Sequence, residues 1–257
     1  MLNKLFNLSG RVALVTGGSK GIGRAIARGL AEAGAHVAIS ARHEEELQEA
    51  AAFIGAGLGV RVETLVADMY RRDEVDRLAS WALSTFGRVD ILFNNAGSNR
   101  PQPLTETSDD SWDHIFELNV TSCMRLARAL APQMIERRWG RIIHMSSVMA
   151  LASNPGRGCY SATKAALIGM ARAHALELGP YGITVNCIAP GPVMTDLPMS
   201  VLNDEQKRKF AELTAVKRWG DTADMVGPAL LLASEAGAFM TGTVVVADGG
   251  MLCRTFD

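Results

Sequence analysis

Cysteine is scarce in this chain: Cys123, Cys159, Cys187 and Cys253 lie far apart with no C-x-x-C pair, a spacing that supports neither a disulfide framework nor a thiolate metal site. A reducing cytoplasm is the compartment that fits. Net charge is nearly absent as well, −1 at pH 7 with a pI near 6.5, which removes the electrostatic case for nucleic acid or an anionic membrane as partner. Long apolar runs are missing. The longest uncharged stretch, Leu178 to Thr195, is broken by Gly179, Pro180, Gly182, Pro190, Gly191 and Pro192, so no segment reads as a membrane span. The opening Met1-Leu2-Asn3-Lys4-Leu5-Phe6 lacks the apolar stretch of a secretion signal. Linkers, low-complexity tracts and sequence repeats are not found either.

What is present is enough apolar material for one large core: 257 residues, 48% hydrophobic and 21% charged, in the range of a single α/β domain spanning 1–257. Short β-branched runs alternate with amphipathic stretches. The predicted strands are Val12 to Thr16, Val37 to Ser40, Val62 to Val66, Ile91 to Phe93, Arg141 to Met145, Ile183 to Cys187 and Val244 to Val246. Between them the spacing predicts helices over Ala25 to Ala33, Glu44 to Phe53, Asp73 to Phe86, Trp112 to Arg137 and Ser161 to Leu178. Strand, helix, strand in repetition is the pattern of a doubly wound, Rossmann-type parallel sheet with helices on both faces.

Directly after the first strand comes Thr16-Gly17-Gly18-Ser19-Lys20-Gly21-Ile22-Gly23. Glycines that leave a strand and open a helix are the context of a phosphate-binding turn. Gly17 allows the tight turn, Gly21 a close approach of backbone to a pyrophosphate, and Gly23 close packing of helix on strand, with the helix N-terminus facing the negative charge. An NAD enzyme places a carboxylate about 20 residues beyond such glycines, at the end of the second strand. Here the chain reads Ser40-Ala41-Arg42, with no acid before Glu44. Arg42 and Lys20 offer two cations to a 2′-phosphate instead. NADP(H) is therefore the expected cofactor and NAD(H) the alternative.

Further along, Tyr160-Ser161-Ala162-Thr163-Lys164 sets a phenol and an ammonium four residues apart, thirteen residues after Ser147. On a helix these two share a face, so the cation can act on the hydroxyl. Cys159, directly before Tyr160, reads as a small packing residue or as a thiol open to reagents.

Together these motifs resemble the short-chain dehydrogenase/reductase family, from Val12 to about Gly250. The resemblance implies that Tyr160 gives or takes the hydroxyl proton, that Lys164 assists it and binds the nicotinamide ribose, and that Ser147 orients the substrate carbonyl. Asn119, in Leu118-Asn119-Val120, completes a proton relay through its backbone carbonyl. It further implies that Asp68 and Met69 contact the adenine, and that Asn95, Ala96 and Gly97 pass beside the cofactor. Ser19 and Ile22 belong to its glycine turn, while Pro190, Gly191, Val193 and Thr195 grip the nicotinamide carboxamide. A capping role for Asp68 is the plainer alternative. The segment at about 195–217, including the charged Asp204 to Phe210 helix, is expected to cover the substrate. A homotetramer is expected, with the long helices and Thr243 to Gly250 at its interfaces.

Two substrate classes remain open. The opening Leu5, Phe6, Leu8 and Gly10 is similar to sugar-acid and polyol dehydrogenases such as gluconate 5-dehydrogenase, which favours a small keto or hydroxy compound. The central motifs are also very similar to reductases of 3-oxoacyl groups on acyl carrier protein. Arg137 and Arg138 would be their docking patch, but Tyr181 stands where such enzymes commonly carry Arg. A non-catalytic, cofactor-binding sensor or scaffold is the reading from another class; its members usually lack the Tyr or the Lys, and this chain keeps both.

Overall fold

The computed structural model describes residues 1–195 and 202–253. In chain order the elements are α1 (Leu2–Leu5), β1 (Val12–Thr16), α2 (Gly21–Glu32), β2 (His36–Ala41), α3 (Glu44–Gly55), β3 (Val62–Val66), α4 (Arg72–Phe86), β4 (Ile91–Asn94), α5 (Asp109–Phe116), α6 (Ser122–Arg137), β5 (Gly140–Met145), α7 (Gly158–Leu178), β6 (Ile183–Pro190), α8 (Asp204–Leu213), α9 (Val226–Ala233) and β7 (Val244–Ala247). The strands form one seven-stranded parallel sheet in the order β3-β2-β1-β4-β5-β6-β7. This is the doubly wound arrangement that the alternation predicts, with the change of direction between β1 and β4.

Burial explains why the central strands read as continuous apolar runs. Every residue of β1, β4, β5 and β6 is buried, because helices cover both faces. Alternate residues divide between two cores. Ala13, Val15, Ile39 and Phe93 pack on one side with Ile26 and Leu30 of α2, Leu47 of α3 and Leu232 of α9. Leu14, Ala38, Leu92 and Ile142 pack on the other with Leu78 of α4, Leu126 of α6 and Leu167 of α7. Each fully buried large side chain stabilises the fold by roughly 1.5–3 kcal/mol.

One departure from expectation and one expectation met bear on the site. The stretch from Trp112 to Arg137 is helical throughout but not uniformly α: α5 passes through a π-helical turn over Glu117–Thr121 into α6. A turn with one extra residue re-aims the side chains within it, and Asn119 sits there. The charged helix after the sixth strand exists as α8, fixed by a capping box in which Asn203 accepts from the Gln206 amide while the Gln206 side chain accepts from the Asn203 amide. Of the expected covering segment at about 195–217, residues 196–201 lie outside the described residues.

Candidate active site

The loops that leave the C-terminal ends of the strands converge at the point where the sheet order reverses. Gly17 takes φ +64° and Gly21 φ +53°, left-handed conformations that favour glycine. A Cβ at Gly23 would overlap the Gly17 carbonyl oxygen, so the close helix–strand packing expected there is real. The N-cap of α2 is Lys20, which supplies no side-chain acceptor, and no acid stands in the first turn. Among the described residues, no carboxylate hydrogen bond to the opening N–H groups of this helix is found. Those N–H groups are the donor set a diphosphate requires.

Asn94-Asn95-Ala96-Gly97 stitches the ends of β1, β4 and β5 together. The Asn95 amide group donates to the carbonyls of Thr16 (3.0 Å) and Gly17 (3.1 Å). The Thr16 hydroxyl accepts from the backbone N–H groups of Asn95 and Ala96. Asn94 Nδ2 lies 3.1 Å from His144 Nδ1. A Cβ at Gly97 would stand 3.1 Å from Asn119 Oδ1 and 3.3 Å from Lys164 Nζ, so only glycine lets the backbone pass there without displacing them.

The predicted catalytic residues are brought together from three elements. Lys164 is 4% exposed; its ammonium donates to the Met145 carbonyl at 2.7 Å and lies 5.5 Å from the centroid of the Tyr160 ring. Ser147, at the end of β5, is 8% exposed, and its Oγ accepts from the Met149 N–H at 3.1 Å. The short 3-10 turn that Ser147 caps packs against α7. Asn119 is buried; its Oδ1 accepts from the Ser98 N–H and its Nδ2 donates to the Ser98 carbonyl, both at 2.9 Å. The Asn119 carbonyl accepts from the Cys123 thiol at 3.3 Å. Ser98 and Thr163 are partners that the motifs did not reveal, because neither carries a chemistry that stands out in the sequence.

The structure gives other expected residues surroundings that the sequence did not show. Lys20 is not an uncommitted cation: its Nζ pairs with Glu46 at 2.8 Å, and the Lys20 bond first, with the Lys20 charge, the His43 charge and the Ser19 bond, holds the Glu46 carboxyl below its usual range. Helix α3 thus brings an acid to the turn from a position too far along the chain to suggest it. Arg42 is exposed. Asp68 does not cap α4, whose N-cap is Arg71; its carboxylate accepts from the Tyr70 N–H at 3.0 Å. Met69 is buried in the core beneath. Arg42, Asp68 and Arg100 all act on His114, whose ring packs 4.1 Å from that of Tyr70; burial first, then the two guanidinium charges, hold this imidazole below its ordinary value against the pull of Asp68.

In the loop after β6, a Cβ at Gly191 would stand 2.7 Å from the Cα of Asp248, so the packing of the chain itself requires glycine there. Pro192 and Met194 use their backbone groups to pair with Gly220, which leaves the N–H and C=O of Val193 outside that bridge. Thr195 lies over the glycine turn, its methyl 3.1 Å from where a Cβ of Gly21 would be. Pro190 is the last residue of β6, paired with Ala247. A cleft of about 500 Å³ runs along the outer face of α2, lined by Lys20, Gly21, Arg24, Phe53 and Thr195 among others. It shares three residues with the expected cofactor set and reaches none of Ser147, Tyr160 and Lys164. Among the described residues no helix is long and apolar enough to cross a membrane.

Comparison with known proteins places this arrangement. The family model described as short chain dehydrogenase matches residues 11–206. Nodulation protein G of Rhizobium sp. (strain N33) is 40% identical over 250 residues, covering 96% of this chain and 99% of that protein. The 3-oxoacyl-[acyl-carrier-protein] reductase FabG of Haemophilus influenzae is 37% identical over 244 residues, 95% of this chain and 99% of the relative. Among solved structures, a candidate NAD(P) dependent gluconate 5-dehydrogenase from Beutenbergia cavernae, with NADP bound at low occupancy, has a TM-score of 0.92 at 36% identity, covering 97% of this chain and 99% of the other. The chain belongs to the short-chain dehydrogenase/reductase family. It is an oxidoreductase of that family, built for a nicotinamide cofactor.

Proposed function

We propose that this protein interconverts a ketone and a secondary alcohol with NADP(H), using Tyr160 as the acid/base. The observation that carries the reading is the buried Lys164 ammonium, anchored on the Met145 carbonyl and directed to the Tyr160 ring. The bound cofactor supplies or accepts the hydride at the carbinol carbon. In reduction, Tyr160 gives its hydroxyl proton to the oxygen of the carbonyl and regains one from solvent afterwards. Ser147 accepts from Met149, which leaves its own O–H to donate to the same oxygen. Lys164 adds a positive charge where negative charge develops and reaches the nicotinamide ribose. Asn119 forms the relay towards solvent. Gly17, Ser19, Gly21, Ile22 and Gly23 hold the diphosphate, with Asp68 and Met69 at the adenine, the backbone of Asn95, Ala96 and Gly97 passing beside the cofactor, and Pro190, Gly191, Val193 and Thr195 at the carboxamide.

The preference for NADP(H) rests on exposed Arg42 at the end of β2, with Lys20 contributing a charge that it shares with Glu46. A small keto or hydroxy compound of the sugar-acid or polyol type is the substrate favoured. Against the carrier-protein alternative stands the fate of its docking patch: Arg137 turns onto the Val89 carbonyl and Asp90, and Arg138 onto the Pro180 carbonyl. Similarity to the Haemophilus reductase keeps that alternative in view. A homotetramer is the proposed assembly; Leu176 on α7 and Val246 on β7 are exposed apolar residues that an interface would cover.

The deciding experiment follows NADPH oxidation against a short 3-oxoacyl thioester and a 5-keto sugar acid in parallel. Selective turnover of the keto acid supports the reading, and selective turnover of the thioester moves the enzyme to acyl-chain reduction. If both carbonyl panels leave NADPH bound but unoxidised, and Tyr160→Phe changes nothing, the protein is a scaffold.

A further inference from the structure

Thr163 stands one residue before Lys164 and three after Tyr160, and it is fully buried. Its single hydroxyl is committed in both directions. Oγ1 accepts from Asn119 Nδ2 at 3.0 Å and donates to the Tyr160 carbonyl at 2.7 Å. That carbonyl already belongs to the first turns of α7 and has the second lone pair needed to accept again. The hydroxyl therefore ties the π-helical turn holding Asn119 to the helical turn holding Tyr160. Asn119 in its own turn clamps both backbone groups of Ser98, next to Gly97, where a Cβ would stand 3.3 Å from Lys164 Nζ.

We propose that Thr163 is a positioning residue that fixes the distance between Asn119 and the Tyr160–Lys164 pair, acting through those two bonds rather than touching substrate. The inference rests on the catalytic reading given above for Tyr160. Three features argue for it. The hydroxyl bridges two separate elements, whereas a serine or threonine bonding only within its own helix merely decorates it. Asn119 is 1% exposed, so without Thr163 Oγ1 its Nδ2 would keep one partner and water could not replace the other. The β-branched side chain is stiff about χ1, so the strut has little slack.

Thr163→Val keeps the shape and removes both bonds, while Thr163→Ser keeps both bonds and removes a methyl. For Thr163→Val the expected result is a fall in kcat of about tenfold, with the Kd for NADPH measured by its fluorescence unchanged within about twofold; Thr163→Ser keeps kcat within about threefold of the parent. In an Asn119→Ala background the Val substitution should change kcat by less than about twofold, since its partner is already gone. A readout independent of turnover is the Ser98 amide, which donates to Asn119: its hydrogen exchange should quicken by about tenfold in Thr163→Val and stay as in the parent in Thr163→Ser. If Thr163→Val does not fold, Thr163→Ala takes its place in each comparison. Parent-like kcat and exchange in the Val or Ala variant overturn the proposal. So does an equal loss in Val and Ser, or a loss that adds fully to that of Asn119→Ala. Parent-like turnover in Tyr160→Phe instead overturns the catalytic reading, and the exchange measurement still decides whether the strut exists.

Discussion

The two ends of the parallel sheet treat polar groups in opposite ways. At the N-terminal end, Asp90 has a side chain with no exposure and is surrounded: it accepts from the Val12 N–H at 2.9 Å and from Arg88, and lies 3.8 Å from Arg11 and 3.7 Å from Arg137. Beside it the Trp139 ring meets the Arg11 guanidinium at 3.6 Å and that of Arg141 at 4.3 Å, while its N–H donates to Glu235. At the C-terminal end, α2 begins with neither a side-chain cap nor an acid, and Ser147 and Lys164 are held by single backbone groups. The first end is electrostatically closed within the chain; the second keeps donors for molecules that are not part of it. Parallel strands cause this asymmetry, because each following helix starts at the same edge and directs its N-terminus there.

The comparison is broken most severely at the open end. Tyr160→Phe should lower kcat by about 10²–10⁴-fold while thermal unfolding stays close to that of the parent; a variant retaining more than a tenth of the activity would remove Tyr160 from the chemistry. At the closed end the effect should be reversed. Asp90→Ala leaves three guanidinium groups around a vacated carboxylate and should destabilise the protein by about 3 kcal/mol in urea titration, with kcat per folded molecule unchanged. A loss of turnover without a loss of stability would mean that the two ends are not separable. Gly23→Ala joins both properties: its Cβ collides with the Gly17 carbonyl. A cost of about 1–3 kcal/mol and a weaker NADPH Kd by titration are expected together.

The most gradual effect is a pH slope. His144 is buried near the C-terminal end of β5, and burial first, then the charges of His174 and Lys164, push its imidazole down to about 3. Because this folded value lies below that of the unfolded chain, near 6.5, the unfolded state binds the extra proton between these limits. Stability should therefore be fully present above pH 6.5 and decline as pH falls towards 3, by at most about 1.4 kcal/mol per pH unit from this group. His144→Gln should flatten that slope in denaturation curves collected from pH 7 to 4. An unchanged slope would assign the acid sensitivity to carboxylates instead.

The strands were legible because they are short runs rich in β-branched and apolar residues, continuous in the buried central strands and mixed with Glu63 and Thr64 at the edge strand β3. Val12 to Thr16 and Val62 to Val66 fall at the observed bounds, and the others differ at their ends by a few residues. Helix α2 begins at Gly21, four residues before the amphipathic pattern starts, since glycines carry no periodicity even when they are helical. The π-turn at Asn119 was not legible: an extra residue in a turn shifts the face of everything after it without any compositional mark. Nor was the coupling of Lys20 to Glu46, because the two meet only when α3 folds back beside the glycine turn.

The sequence by itself determined the sheet, the glycine turn and the set of residues from which Ser147, Tyr160 and Lys164 stand out, because each depends on local pattern or on spacing within one element. Tertiary structure decided which cations remain at the surface, why Gly191 must be glycine, and that Thr163 joins Asn119 to Tyr160. Those outcomes depend on groups distant in the chain coming within about 3 Å of one another, the range at which a hydrogen bond forms, and no local pattern encodes such a distance.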